Sequence, residues 1–259
     1  MCMRVSERYR WSSTYNQRQK QRRPSKRGQE EAGTRGGCVC RLRSVYQGGV
    51  KPAANMPIDF YYFPPSPPCR SVMLLAKAIG VHLNLKTVNI FKGDHMKPEF
   101  LKINPQHVIP TMDDNGLVLC ESRPIMGYLV SKYAKNDSLY PREPQKRGTV
   151  DEILYFDISS LFANIGKCYF KVLLGKANTV QESDIANVEK SCETLNTFLV
   201  DKKFVAGENL TIADFTVSTS ISVLECFGFD IGRYDNVAAW YESCKQLLDK
   251  FGFEEVHAP

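Results

Sequence analysis

Between Phe63 and Cys69 the chain reads Pro64-Pro65-Ser66-Pro67-Pro68. Each proline fixes its φ and lacks a backbone N–H, so no strand or helix runs through this stretch. On its N-terminal side, Ile58-Asp59-Phe60-Tyr61-Tyr62-Phe63 is β-prone. On its C-terminal side, residues 69–79 carry Val72, Leu75, Ala76 and Ile79 at helical spacing, and Gly80 predicts the stop. Leu83–Ile90 reads as a second strand. Strand, helix, strand in this length is a βαβ unit, with a right-handed crossover and a parallel pair. A loop with Gly93 and Pro98 follows, then Ile109-Pro110-Thr111-Met112 as a strand start. Asp113-Asp114-Asn115-Gly116 reads as a turn, since Asn-Gly is a strong hairpin signal. Leu117–Cys120 is the return strand, and a helix begins near Glu121-Ser122 and runs to about Tyr133. The order is β-α-β-(short helix)-β-β-α.

Residues 135–145 hold Lys, Asn, Asp, Pro141 and Pro144 and read as a linker. Beyond it the pattern is helical, with helices over about 146–173, 181–200 and 236–250. Another starts at Thr211, whose hydroxyl can cap it while Asp214 returns the bond. The predicted fold class is α/β plus all-α: a thioredoxin-like domain over 56–134, then an all-helical domain over 146–259.

Charge separates a further segment. The chain carries 34 Lys+Arg and 28 Asp+Glu, a formal +6. Residues 1–55 hold 13 of the bases and 3 of the acids, leaving −4 for residues 56–259. The basic segment shows no sustained period and too little apolar surface to offset ordering entropy. Three readings compete for it: a disordered tail or upstream sequence joined to a start at Met56, a mitochondrial targeting peptide, and a nucleic-acid-binding arm. Its composition favours the first. Nine irregularly spaced cysteines argue for reduced, buried thiols and not paired bridges, hence a cytoplasmic setting. No run of eighteen apolar residues exists to span a membrane. Cys38 and Cys40 have the wrong spacing for a zinc site, and no metal is expected.

Ser66-Pro67-Pro68-Cys69 stands where the first strand hands over to the first helix. Thioredoxin-like redox proteins place two cysteines there. A serine in the first position disfavours dithiol exchange, but its hydroxyl can donate to an external thiolate beside the helix N-terminus. A serine cap over a buried cysteine is the plain structural alternative. Ile109-Pro110 falls where such a sheet places a cis-proline, which would let the Val108 N–H and C=O pair with a peptide ligand as an added strand. Glu121 suits an ammonium, and Ser122 with the helix N–H groups suits a carboxylate. Together they fit an amino-acid headgroup, although a first-turn acid and cap is the simpler account.

With these residues in view, the chain resembles the cytosolic glutathione transferases and, within them, the insect delta class. The resemblance rests on Tyr61–Ser71, Gly93–Phe100, Asn104–Pro110, Glu121-Ser122-Arg123 and Leu210–Asp214, in fixed order across 56–259. It does not cover residues 1–55. It implies that glutathione is the co-substrate and that Ser66 stabilises its thiolate. It places His95 and His107 near the glycyl carboxylate, Val108 at the cysteinyl backbone with Ile109 also among the glutathione-binding residues, and Glu121, Ser122 and Arg123 at the γ-glutamyl group. It also implies a homodimer that conjugates hydrophobic electrophiles, with detoxification as the role. Peroxidase or dehydrochlorinase chemistry, or glutathione binding without turnover, are alternatives.

Two positions depart from the class pattern. Pro65 stands where the class usually has Gly, which stiffens the turn, and Pro124 follows Arg123. Tyr61 and Tyr62 are rivals for the catalytic hydroxyl, because other classes use a strand tyrosine. Phe162 and Tyr169, seven residues apart and expected on one helix face, are the electrophile-pocket candidates, with Phe227-Gly228-Phe229 a weaker one.

Overall fold

The computed structural model describes residues 57–173, 175 and 177–257; the basic segment 1–55, and the three readings of it, lie outside the described residues. Its sheet has the order β2-β1-β3-β4, built from β1 (Ile58–Tyr62), β2 (Leu83–Thr87), β3 (Thr111–Asp114) and β4 (Leu117–Cys120). β1 and β2 pair in parallel across α1 (Pro67–Ile79), while β3 runs antiparallel to both β1 and β4. Gly80 ends α1 in the left-handed region at φ 74°. α2 (Pro98–Ile103) lies in the crossover to β3, and α3 (Ser122–Tyr133) follows β4. Phe60, Leu74, Leu75, Met112, Ile125, Met126 and Leu129 are fully buried between sheet and helices, each contributing about 1.5–3 kcal/mol of transfer free energy.

Two boundaries differ from the periodicity. The second strand ends at Thr87, not Ile90, because the Asn89 side chain accepts from Phe91 N–H and Lys92 N–H and opens a 3-10 turn. Asp113 and Asp114 belong to β3, so only Asn115 and Gly116 form the turn, at φ 54° and 93°. The pleat then turns the Asp114 side chain inward. Its Oδ2 accepts from Tyr128 Oη at 2.5 Å, Lys132 Nζ at 2.6 Å and Tyr133 Oη at 2.7 Å.

The helical half begins at α4 (Pro144–Phe156), capped by Glu143, which accepts from Gln145 N–H and Lys146 N–H. A π-helical turn (Asp157–Leu161), α5 (Phe162–Ile165), a second π-helical turn (Gly166–Phe170) and α6 (Lys171–Leu173) continue it without a break. α7 (Glu182–Phe198), α8 (Ile212–Cys226), α9 (Asp235–Asp249) and α10 (Phe253–His257) complete it. Thr211 and Asp214 form the expected capping box at the head of α8. Asp214 also accepts from Val205 N–H and Trp240 Nε1, tying the helix start to α9. α8 is buried from Ile212 to Leu224 and packs against α1 and α3, so the two halves share one core.

Candidate active site

Strand register gathers the candidate loops at one end of the sheet. Tyr61 pairs with Thr111, Thr111 with Cys120, and Tyr62 with Thr87. The segments that continue past these residues hold Ser66, Asp94 and His95, Val108 to Pro110, and Glu121 to Arg123.

Ser66 is the N-cap residue of α1, with φ −77° and ψ 113°, and its side chain makes no cap hydrogen bond. The turn before it is closed by Ser66 N–H to the Phe63 carbonyl at 2.9 Å, so Pro65 is accommodated within a formed turn. The expected cradle of backbone donors is absent here, and proline is the reason. Pro67 and Pro68 have no N–H, and the Cys69 and Arg70 N–H groups both donate to the Ser66 carbonyl at 3.0 Å. The hydroxyl of Ser66 is thus the donor this junction offers to an anion. Burial pushes the Cys69 thiol up to about 11, although hydrogen bonds from the Ser66 side chain and Phe63 N–H and the charge of Arg70 pull it down. Cys69 is a protonated structural thiol at neutral pH. Tyr61 is raised by burial, then by Asp59 and Asp113, and packs edge-on to Phe100 at 5.7 Å. Tyr62 stacks on Phe60 at 6.2 Å.

The Ile109-Pro110 bond is cis. The Val108 carbonyl already accepts from Thr111 Oγ1 at 2.8 Å and Asn104 Nδ2 at 3.2 Å. Among the described residues neither the N–H nor the C=O of Ile109 has a hydrogen-bond partner. The open backbone edge therefore comprises the Val108 N–H and both groups of Ile109. Asn104, which sequence reading did not single out, organises this loop: its Oδ1 accepts from Gln106 N–H and its carbonyl from His107 N–H, both at 2.9 Å. Its position before Pro105 was the available signal. His95 and His107 come together with ring centroids 6.2 Å apart. His95 Nδ1 is buried without a protein partner among the described residues, and His107 sits at φ 49°.

Glu121 adopts φ 71°, a left-handed conformation that costs a non-glycine residue about 1–3 kcal/mol and is common at functional sites. Its carboxylate makes no cap hydrogen bond. Ser122 follows as the buried first residue of α3. Arg123 is differently placed from the other two. Its guanidinium is buried and forms an ion pair with Asp157 of the first π-helical turn. Burial pulls that guanidinium down to about 10, still charged at neutral pH. No local sequence signal ties residue 157 to residue 123.

The electrophile-pocket candidates separate. Phe162 packs edge-on against Phe170, 5.7 Å between centroids, and both are partly exposed. Tyr169 is buried and stacks on Phe227 at 4.4 Å, and Phe229 stacks on Tyr234. The π-helical turn at Gly166–Phe170 is the cause. Its i→i+5 bonding admits one extra residue, so the residue eight positions on takes the place expected at seven. Among the described residues no group of three or more His, Cys, Asp or Glu could hold a metal ion. None of the described helices is long and apolar enough to cross a membrane.

A thioredoxin-like half whose first strand–helix junction offers a serine, joined to a helical half through a shared core, defines a two-domain fold of the glutathione-transferase class. Comparison with known proteins agrees. The family "Glutathione S-transferase, N-terminal domain" matches residues 60–137, and "Glutathione S-transferase, C-terminal domain" matches residues 164–247. A glutathione transferase of Bombyx mori is 44% identical, with a TM-score of 0.76 over 78% of this chain and 93% of that one. A delta-class glutathione transferase of Nilaparvata lugens is 46% identical, with a TM-score of 0.73 over 77% and 92%. A glutathione transferase homologue of Drosophila mojavensis, solved with bound glutathione, is 34% identical, with a TM-score of 0.71 over 78% and 95%. The chain belongs to the glutathione S-transferase family and is an enzyme of that activity, with glutathione as its co-substrate.

Proposed function

We propose that this enzyme binds glutathione across the sheet end built by the Tyr61–Thr111–Cys120 register and attacks hydrophobic electrophiles with its thiolate. The register is the observation that carries the reading, because it brings four sequence-distant loops to one edge. Ser66 Oγ–H donates to the glutathione sulfur. A free thiol has a pKa of about 8.5, so a donor to the anion raises the thiolate fraction at neutral pH. The cysteinyl backbone of glutathione pairs with Ile109 N–H and C=O. Glu121 takes the γ-glutamyl ammonium, and Ser122 at the head of α3 takes the adjacent carboxylate. Arg123 acts indirectly, holding that turn through Asp157. His95 and His107 face the glycyl carboxylate. The electrophile lies against Phe162 and Phe170 in place of Tyr169, which the core occupies.

Two broader assignments accompany this one. The enzyme works as a homodimer, a reading supported by exposed Leu117 and Val118 on edge strand β4 and by exposed Tyr155 and Ile158. It works in the cytoplasm, a reading supported by the unpaired state of Cys69, Cys120, Cys168, Cys192, Cys226 and Cys244.

The deciding experiment compares Ser66→Ala with Tyr62→Phe under aryl-halide conjugation. Ser66→Ala is expected to lower kcat/KM by about 100-fold, as loss of one donor to a developing anion does. Full activity in Ser66→Ala with loss in Tyr62→Phe would overturn the assignment.

A further inference from the structure

A serine at a helix N-cap normally accepts a hydrogen bond from the N–H of the second or third helical residue. In α1 those residues are Pro68 and Cys69. Pro68 has no N–H to give. The Cys69 N–H is directed at the Ser66 carbonyl at 3.0 Å, and Ser66 makes no cap bond. The hydroxyl is thus not engaged at the helix head. Among the described residues, three other N-cap residues of the chain do cap with their side chains. Asn89 accepts from Phe91 N–H and Lys92 N–H, Glu143 from Gln145 N–H and Lys146 N–H, and Thr211 from Ala213 N–H. Each of these caps has a donor two residues on, and at the head of α1 that position is proline.

We infer that Pro68 is a positioning residue for Ser66: by withholding the N–H at the second helical position, it keeps the hydroxyl from being captured as a helix cap and leaves it to the glutathione thiolate. The inference rests on the reading of Ser66 as thiolate donor. A cap bond would tie the oxygen to the helix head. The uncapped helix end is the structural cost of an available hydroxyl.

The test uses the full chain with Ser66→Ala, Pro68→Ala and the double variant. Thermal midpoints and the pKa of bound glutathione, followed by thiolate absorbance in the ultraviolet, are measured for each. Replacing proline also loosens the unfolded chain, but equally in the wild-type and Ser66→Ala backgrounds. The cap therefore appears as a difference between backgrounds. Pro68→Ala is expected to be more favourable by about 2–4 °C with Ser66 present than without it. With Ser66 present it is also expected to raise the bound-thiol pKa, with the thiolate fraction falling about tenfold per unit. No difference between backgrounds, or a difference with the bound-thiol pKa unmoved, overturns the inference. If Ser66→Ala itself leaves that pKa at the wild-type value, the donor reading of Ser66 fails first. If Ser66→Ala raises it and Pro68→Ala does not, only the role of Pro68 fails.

Discussion

Arg123, in the first turn of α3, and Asp157, at the start of the first π-helical turn, form a buried ion pair, with side chains 9% and 0% exposed. They are 34 residues apart and join the head of α3, in the candidate site, to the helical half. Removing one partner leaves a buried charge uncompensated. Asp157→Ala is expected to cost about 3–5 kcal/mol in urea denaturation, while Arg123→Met with Asp157→Leu recovers most of it. Both variants are expected to raise the KM for glutathione, because Glu121 and Ser122 lose their support. An unchanged KM in both would separate the pair from the site.

Asp114 has a measurable acid signature. Burial alone would raise its pKa, but bonds from Lys132, Tyr128, Tyr133 and Asn115 outweigh it and hold the carboxyl at about 2, against 3.8 for the free group. The unfolded chain binds the proton more readily, so this contribution is complete above about pH 4 and is lost as pH falls towards 2. It amounts to about 2 kcal/mol. Asp114→Asn is expected to flatten the stability-against-pH curve in that window, and a wild-type-like acid limb would rule the assignment out.

Gly127 in α3 lies under the Tyr140 ring. A Cβ there would stand 2.9 Å from Tyr140 Cε1. The ring cannot easily retreat, since its hydroxyl donates to Asp151 at 2.9 Å and Arg147 covers its face at 4.1 Å. Alanine usually favours a helix over glycine. Here Gly127→Ala is expected to destabilise by about 1–3 kcal/mol by overpacking. Chemical denaturation of Gly127→Ala alone and with Tyr140→Ala checks this, because removing the ring should restore the helix preference.

The π-helical turn at Gly166–Phe170 leaves Phe170 partly exposed against Phe162 and Tyr169 buried. Phe170→Ala is expected to lower kcat/KM for an aryl electrophile by about 2- to 10-fold at unchanged glutathione KM. Tyr169→Ala removes a stacked core ring and is expected to show mainly as lost stability, about 3–5 kcal/mol. Steady-state kinetics with each substrate varied, beside a denaturation curve, distinguish the two. The reverse pattern would return Tyr169 to the pocket.

Much of the fold was legible from residues 58–133, because it is written in short-range chemistry. The four prolines around Ser66 end one element and begin another, Gly80 supplies the left-handed stop, and Asn115-Gly116 supplies the tight turn. Thr211 and Asp214 announce their capping box within four residues. Each of these signals acts over one turn of chain, and each appears where it was expected.

What tertiary structure decided is who meets whom. Asp157 became the partner of Arg123 because α3 and the first π-helical turn lie against a common core. The Val108 carbonyl was already taken by Asn104 and Thr111, which leaves Ile109 as the residue with both backbone groups open. Asp114 was drawn inward by two tyrosines and a lysine from α3. A strict helical period placed Tyr169 beside Phe162 until the π-helical turn at Gly166–Phe170 shifted the face. Local propensity is a property of a residue and its nearest neighbours. Pairing of buried charges, competition for a carbonyl, and helix phase over thirty residues are set by packing, and packing exists only once the whole chain has folded.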